Sequence, residues 1–234
     1  MTPSELAAAG CDVGAGAYHR LAKFVRLLLS ANQRVNLTAI DNEGEAWIKH
    51  ICDSLALLPQ IQTGQPGTLL DLGTGGGLPG IPLACVCPEL QVTLAEATRK
   101  KLVAVERIVA DLELGNVRCI WGRAETLAHE SAYREKFDIV VARAVAKLRV
   151  LVEYASGFAR IGGECWFFKS APGLDQEARA AAQAARLCGL ERADDHIYQL
   201  PESHSARVIV VYRKKSTLSR DLPREVGRPK KRPL

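Results

Sequence analysis

The sequence is poor in the features that would direct it to a membrane, a metal or an oxidising compartment. No apolar run reaches the roughly 20 residues of a bilayer-spanning helix. Met1 to Gly16 contain no basic stretch followed by an apolar core, so no secretory leader is expected. The seven cysteines (Cys11, Cys52, Cys85, Cys87, Cys119, Cys165, Cys188) are odd in number and scattered. They form no C-x-x-C pair, which argues against a zinc site and a disulfide framework and for reduced thiols in a cytoplasmic protein. No internal repeat is visible. Neither a metal nor a membrane is therefore expected as a partner.

What remains is an ordinary globular composition. The 234 residues, 47% hydrophobic and 24% charged, suffice for one α/β domain with an extension. Charge is unevenly placed: residues 213–234 hold 9 Lys/Arg against 2 Asp/Glu, a net of +7, whereas the preceding residues hold 22 against 24, a net of −2. The whole excess of +5 sits at the end of the chain.

Three regions follow from the pattern. In residues 1–65, Leu21, Phe24, Val25, Leu28 and Leu29 recur at helical spacing, and a second helix is predicted from Glu43 to Leu58, stopping at Pro59. Residues 66–212 alternate strands with helices. The strands are predicted at Thr68–Asp71, Gln91–Glu96, Val117–Trp121, Phe137–Ala142, Glu164–Lys169, Ile197–Leu200 and Arg207–Tyr212. Helices are predicted at Gly80–Cys87, Lys100–Leu114, Glu125–Arg134, Leu148–Phe158 and Asp175–Cys188. This alternation implies a mostly parallel, Rossmann-like sheet covered on both faces, and the helix-free link between the last two strands implies one antiparallel edge strand. Residues 213–234, basic and poor in large apolar side chains, are expected to be disordered or only loosely docked.

The strongest local signal is Asp71-Leu72-Gly73-Thr74-Gly75-Gly76-Gly77-Leu78-Pro79-Gly80, after an apolar strand and before a helix. A phosphate-cradling P-loop would need Lys-Ser/Thr after the last glycine, which is absent. A dinucleotide site would space its glycines as G-x-G-x-x-G. The spacing here, with an acid two residues before Gly73, is that of proteins binding S-adenosyl-L-methionine, whose ammonium and sulfonium groups favour a nearby carboxylate. Glu96, 23 residues after Gly73, ends the second strand, where a carboxylate can accept both ribose hydroxyls. Its alternative role is to cap the next helix. Ala97 and Thr98 follow in the loop beside the nucleoside. Gly122-Arg123-Ala124-Glu125 either meets the adenine edge or starts a helix. Arg143, just past the fourth strand, either holds an anion in the crevice or forms a surface salt bridge.

These residues resemble the RsmG (glucose-inhibited division protein B) family of bacterial rRNA methyltransferases, from about Arg34 to Tyr212. The markers are Asn36-Leu37-Thr38, His50-Ile51-Cys52-Asp53-Ser54, the glycine segment through Pro82, Glu96-Ala97-Thr98-Arg99-Lys100-Lys101, Gly122-Arg123-Ala124-Glu125 and Ala142-Arg143-Ala144-Val145-Ala146. The resemblance implies a class I methyltransferase fold and transfer of a methyl group from S-adenosyl-L-methionine to N7 of a guanine in 16S ribosomal RNA, guanine 527 in the conventional rRNA numbering. It implies cofactor contacts at Gly73, Leu78, Glu96, Ala97, Thr98, Ala124, Glu125 and Arg143, a monomer, and rRNA or a small-subunit assembly particle as partner. The chain departs from the family pattern at Glu96, often Asp, at Phe168-Lys169-Ser170, where Phe-Lys-Gly is usual, and at Pro223-Arg224-Glu225-Val226-Gly227, where Pro-Arg-Arg-Pro-Gly is usual.

N7 of guanine carries a lone pair at neutral pH, so in-line transfer to it requires no general base and no catalytic side chain is assigned. His50 and Asp53, three apart, are expected to form a buried pair on one helix face, the alternative being that they line an RNA mouth. Arg99-Lys100-Lys101, Lys169, Arg228, Lys230, Lys231 and Arg232 form the expected RNA footprint. The competing readings are a nicotinamide-dependent oxidoreductase, a methyltransferase for a protein, small molecule or other RNA, and a non-catalytic RNA-binding module.

Overall fold

A computed structural model describes residues 1–202 and 206–234 of the chain. Helix α1 (Pro3–Ala8) begins with a capping box, in which the Thr2 hydroxyl accepts from the Glu5 amide and the Glu5 carboxylate accepts from the Thr2 amide. Helix α2 (Ala15–Asn32) buries Leu21, Phe24, Val25 and Leu28, the stripe its spacing predicts, while Leu29 stays half-buried. Tyr18 of α2 stacks on Trp47 with ring centroids 5.4 Å apart.

The single helix predicted over Glu43–Leu58 is in fact broken. α3 (Glu43–Ala46), capped by the Asn42 side chain, runs into a π-helical stretch, Trp47–Cys52, and then α4 (Asp53–Leu55). The chain restarts as α5 (Leu58–Gly64) with Pro59 inside its first turn, where a missing N–H is harmless. Pro59 thus opens a helix instead of ending one.

The sheet region runs β1 (Thr68–Leu72), α6 (Gly80–Val86), β2 (Gln91–Glu96), α7 (Arg99–Asp111), β3 (Val117–Trp121), α8 (Ala124–Leu127), β4 (Phe137–Arg143), α9 (Leu148–Ser156), β5 (Ala159–Ser170), α10 (Leu174–Leu187), β6 (Leu190–Arg192), β7 (His196–Gln199) and β8 (Ala206–Lys214). The order across it is β3-β2-β1-β4-β5-β8-β6, with β7 pairing farther along β8. β1 to β5 are parallel; β8 is antiparallel to β5, and β6 and β7 are antiparallel to β8. The antiparallel pairing is therefore gathered at one edge. Alternate residues of each strand feed two cores, so Leu69 and Val141 pack with α2 and the π-helical stretch, while Leu70, Leu72 and Val140 pack with α9 and α10. The helix predicted from Glu125 to Arg134 is cut to one turn: the Arg134 guanidinium turns back to the Ala128 carbonyl and onto three carbonyls of the chain's last segment.

That last segment is docked on the domain through polar contacts. Leu218 is buried, and Leu218, Ser219 and Leu222 give their carbonyls to Arg134. The Arg224 guanidinium meets both oxygens of the fully buried Glu153 carboxylate at 2.9 and 2.7 Å. The chain ends in the short α11 (Arg228–Lys231), with Pro229 buried beneath it. Composition misled because the segment is held by arginines and backbone carbonyls rather than by apolar bulk.

Candidate active site

β1, β2 and β4 end on the same side of the sheet, and their carboxyl ends open onto a crevice of about 440 Å3. Gly73, Thr74, Gly75, Gly76 and Leu78 from the glycine turn line it, with Glu96 from β2 and Arg143 from β4. Leu37 and Thr38, Lys49, His50, Asp53, Lys101 and Arg207 close the remaining sides. A larger cavity, about 760 Å3, lies at the amino ends of the strands between Gly67, Asp138, Arg160 and Arg213. Open α/β sheets bind ligands at the carboxyl ends, where this chain also gathers its glycine turn and acids.

The glycine turn rests on Asp71. Its Oδ2 accepts from the Thr74 hydroxyl at 2.7 Å and from the Gly80 amide at 2.9 Å, pinning both ends of the turn. Burial raises the Asp71 pKa from 3.8 to about 6, against the opposing pull of those two bonds, and Oδ1 is buried with no partner among the described residues. Two glycines are dictated by space and angle. Gly73 has φ +72°, and a Cβ there would lie 2.8 Å from Val145 Cγ2; a Cβ at Gly80 would collide with Leu94. The Gly73 and Thr74 amides both donate to the Ala95 carbonyl, which fixes the turn against the tip of β2.

At that tip the Glu96 carboxylate, 8% exposed, accepts the Gly75 amide on Oε2 at 3.1 Å and the Thr98 amide on Oε1 at 2.7 Å. It thus braces the loop that leads into α7 and forms a wall of the crevice. Ala97 and Thr98 form the loop behind it, and the Ala97 carbonyl accepts the Trp121 indole N–H at 3.1 Å.

Opposite, Arg143 is ion-paired. Its Nη1 donates to Asp53 Oδ2 at 2.8 Å and to the Lys49 carbonyl at 3.1 Å, and its Nη2 lies 3.3 Å from His50 Nδ1. His50 Nδ1 also lies 3.1 Å from the Lys49 carbonyl, and its Nε2 lies 2.7 Å from Thr38 Oγ1, so both ring nitrogens are engaged. Burial, then the Arg143 charge, lowers the His50 pKa from 6.5 to about 4, so the ring is neutral at pH 7. Asp53, fully buried, also accepts the Tyr198 hydroxyl at 2.6 Å and lies 3.3 Å from Arg207 Nη1. His50 and Asp53 do not bond to each other as their spacing had suggested. The π-helical stretch changes the angular step between them, and Arg143 joins them instead. Both residues are buried, and both line the crevice.

Gly122-Arg123-Ala124-Glu125 does start a helix, with Arg123 at the N-cap of α8. The buried Glu125 carboxylate accepts the Tyr154 hydroxyl at 3.1 Å and the Gly227 amide at 2.8 Å, so its side chain faces the last segment and not the 440 Å3 crevice. Of the eight residues expected at the cofactor, Gly73, Leu78, Glu96 and Arg143 line the crevice, and Ala97, Thr98, Ala124 and Glu125 do not. Lys169, expected in an RNA footprint, is withdrawn from it by bonds to Glu177 at 2.7 Å and to the Ala146 carbonyl at 2.9 Å. Among the described residues no group of three or more His, Cys, Asp or Glu is placed to hold a metal, and no helix is long and apolar enough to cross a membrane.

Residues 17–204 match the profile of the family described as rRNA small subunit methyltransferase G. The chain belongs to that family. Relatives named ribosomal RNA small subunit methyltransferase G include one from Carboxydothermus hydrogenoformans, 41% identical over 91% of this chain and 89% of the relative. Another, from Alkaliphilus oremlandii, is 37% identical over 92% of this chain and 90% of its own length. Among solved structures, a putative O-methyltransferase from Klebsiella pneumoniae shares the fold with a TM-score of 0.55 at 15% identity, covering 82% of this chain and 90% of that one. Fibrillarin from Aeropyrum pernix, solved with natively bound S-adenosyl-L-methionine, gives a TM-score of 0.50 at 18% identity over 62% of this chain and 66% of its own. The fold is thus that of class I S-adenosylmethionine-dependent methyltransferases.

Sequence reasoning about the crevice missed Lys49, Tyr198 and Arg207. Tyr198 and Arg207 reach Asp53 from strands added at the far edge of the sheet, and their local sequence carries no signal for that. Thr38 belonged to a recognised marker, and its place is explained by Asn32, whose Oδ1 accepts the Leu37 and Thr38 amides at 2.8 and 3.0 Å.

Proposed function

We infer that this protein methylates N7 of a guanine in 16S small-subunit rRNA with S-adenosyl-L-methionine as donor. The observation that carries the reading is the Glu96 carboxylate, fixed by two backbone amides at the strand tip beside a turn pinned by Asp71. Family membership supplies the substrate class.

The residues suit the cofactor. Each Glu96 oxygen keeps a lone pair beyond the one given to an amide, enough for two ribose hydroxyls. The buried Asp71, with one oxygen unpartnered, makes the floor of the turn favourable to a cation. Gly73 and Leu78 shape the wall, and Ala97, Thr98 and Ala124 are assigned to the adenine end, with the Glu125 side chain turned to the last segment. Arg143 spends its two Nη1 donors on Lys49 and Asp53, leaving Nε–H and an Nη2 donor for a carboxylate or phosphate. When bound, S-adenosyl-L-methionine supplies a methyl group activated by the sulfonium charge.

The chain's task is placement. A guanine N7 has no proton to lose before it attacks, so no general base is required, and neutral His50 positions Arg143 and Thr38 instead. Orientation of two reactants can lower a barrier by on the order of 7–11 kcal/mol. Lys49, Lys101 and Arg207 line the mouth and offer cations to the RNA backbone.

Calorimetric titration with S-adenosylhomocysteine and, separately, with NADH tests the cofactor class. Binding of the first alone, weakened at least tenfold by Glu96→Ala, is the expected result, since a lost bond to a charged group costs about 1.5–3 kcal/mol. Binding of NADH, or of neither, overturns the reading. Nucleoside mass analysis of small-subunit rRNA incubated with protein and methyl donor should then show N7-methylguanosine; methylation at another position would correct the acceptor atom.

A further inference from the structure

Trp121 is the last residue of β3, in register with Glu96 on β2, and 58% of its surface is exposed. The other two tryptophans, Trp47 and Trp166, are buried. A lone exposed aromatic side chain needs no explanation by itself. Three further observations distinguish this one. Its indole N–H is bonded to the Ala97 carbonyl, so the ring is held in one orientation although its surface is open. The Arg99 guanidinium stands over the ring, 5.8 Å from its centroid; the Arg99 side chain is 59% exposed and has only a 3.9 Å contact with Glu106 as an ion pair. Finally, Lys100 is exposed beside it, and Lys101, one residue on, lines the crevice.

A fixed, largely exposed indole with a guanidinium over one face fits one ligand class closely. An unpaired nucleobase offers a π-face to the indole, and its phosphate offers an anion to Arg99 and Lys100. A folded protein partner would need a larger apolar area than one indole supplies. Glu96, the register partner of Trp121, and Lys101 both line the crevice, so a strand stacked on Trp121 has a short path to it.

We propose that Trp121 is a stacking platform for an unpaired RNA base flanking the methylated nucleotide, with Arg99 and Lys100 neutralising the adjoining phosphates. The proposal deepens the rRNA-methyltransferase reading and rests on it.

The test uses the full chain with two probes, a single-stranded uridine decamer and an abasic ribose-phosphate decamer of equal charge. The uridine decamer should quench the tryptophan fluorescence of the native protein and bind roughly tenfold more tightly than the abasic one, the scale of one base–aromatic stack. Trp121→Ala should abolish that preference and leave abasic binding unchanged, and Trp121→Phe should restore most of it. KM for small-subunit rRNA should rise in Trp121→Ala with kcat and S-adenosylhomocysteine affinity preserved. Equal binding of both decamers to the native protein, or an unaltered KM in a folded Trp121→Ala, overturns the stacking role while the methyltransferase reading stands. A Trp121→Ala variant that loses S-adenosylhomocysteine instead reassigns the ring to the cofactor loop and also overturns it. Failure of the native protein to bind any RNA or methylate rRNA overturns both.

Discussion

Asp53 shows how much one residue can hold together. A fully buried carboxylate receives Arg143, Tyr198 and Arg207, which come from three strands, and the arrangement ties the π-helical stretch to both halves of the sheet. Asp53→Ala leaves Arg143 without its counter-ion, and a loss of about 3–5 kcal/mol in urea unfolding is expected. His50 and Asp71 set opposite pH dependences. The His50 pKa falls from 6.5 to about 4, so between those values the unfolded chain binds a proton that the folded chain refuses. Its contribution is complete above pH 6.5 and is lost as pH falls toward 4, on the order of 3 kcal/mol in all. For Asp71, raised from 3.8 to about 6, the folded chain holds the proton the unfolded chain has released, so its contribution grows as pH falls through that window. Melting curves of His50→Gln and Asp71→Asn across these windows separate the two. A His50→Gln profile parallel to the native one would refute the assignment of the first slope.

At the scale of elements, the last segment is the part whose behaviour differs most from its composition. Arg224→Ala strands the buried Glu153 carboxylate and should lower stability by about 3–5 kcal/mol, seen as a depressed Tm. Neutralising Arg228, Lys230, Lys231 and Arg232 to Gln should leave Tm near the native value yet flatten the salt dependence of RNA binding, by about 0.7–0.9 in log–log slope for each phosphate contact removed. An unchanged slope would make α11 a structural foot and nothing more. The parts legible in the sequence were those set by short-range rules: alternation marked the strands, the glycine spacing marked the turn, and 23 residues beyond Gly73 marked the acid. The π-helical winding at Trp47–Cys52, the one-turn α8 and the docked segment were not legible. Each depends on partners distant in the chain, such as Arg134 reaching Leu222 or Gly227 reaching Glu125, and no local pattern records them. In the crevice, Leu78 and Arg143 were found from the order of motifs, while Arg207 entered only through the closing of the sheet.

At the scale of the whole molecule, six of the seven cysteines are buried and Cys119 is half-buried, so the thiols report on global integrity. Burial raises the pKa of Cys85 and Cys165 to about 12 and of Cys119 to about 11. Iodoacetamide at neutral pH should therefore modify the native protein slowly, at Cys119 first, and all seven sites once urea unfolds it; intact mass measures both. The sheet order has a consequence for the protein as it is being made. β8 is the last strand synthesised, yet it covers the edge of β5, pairing Glu164–Ser170 with Arg207–Arg213. Until it emerges, the nascent polypeptide presents Cys165-Trp166-Phe167-Phe168 on an unpaired, apolar margin, the kind that recruits other strands. A premature stop codon between α10 and β8 would thus yield an insoluble product although every residue of the glycine turn had already been translated.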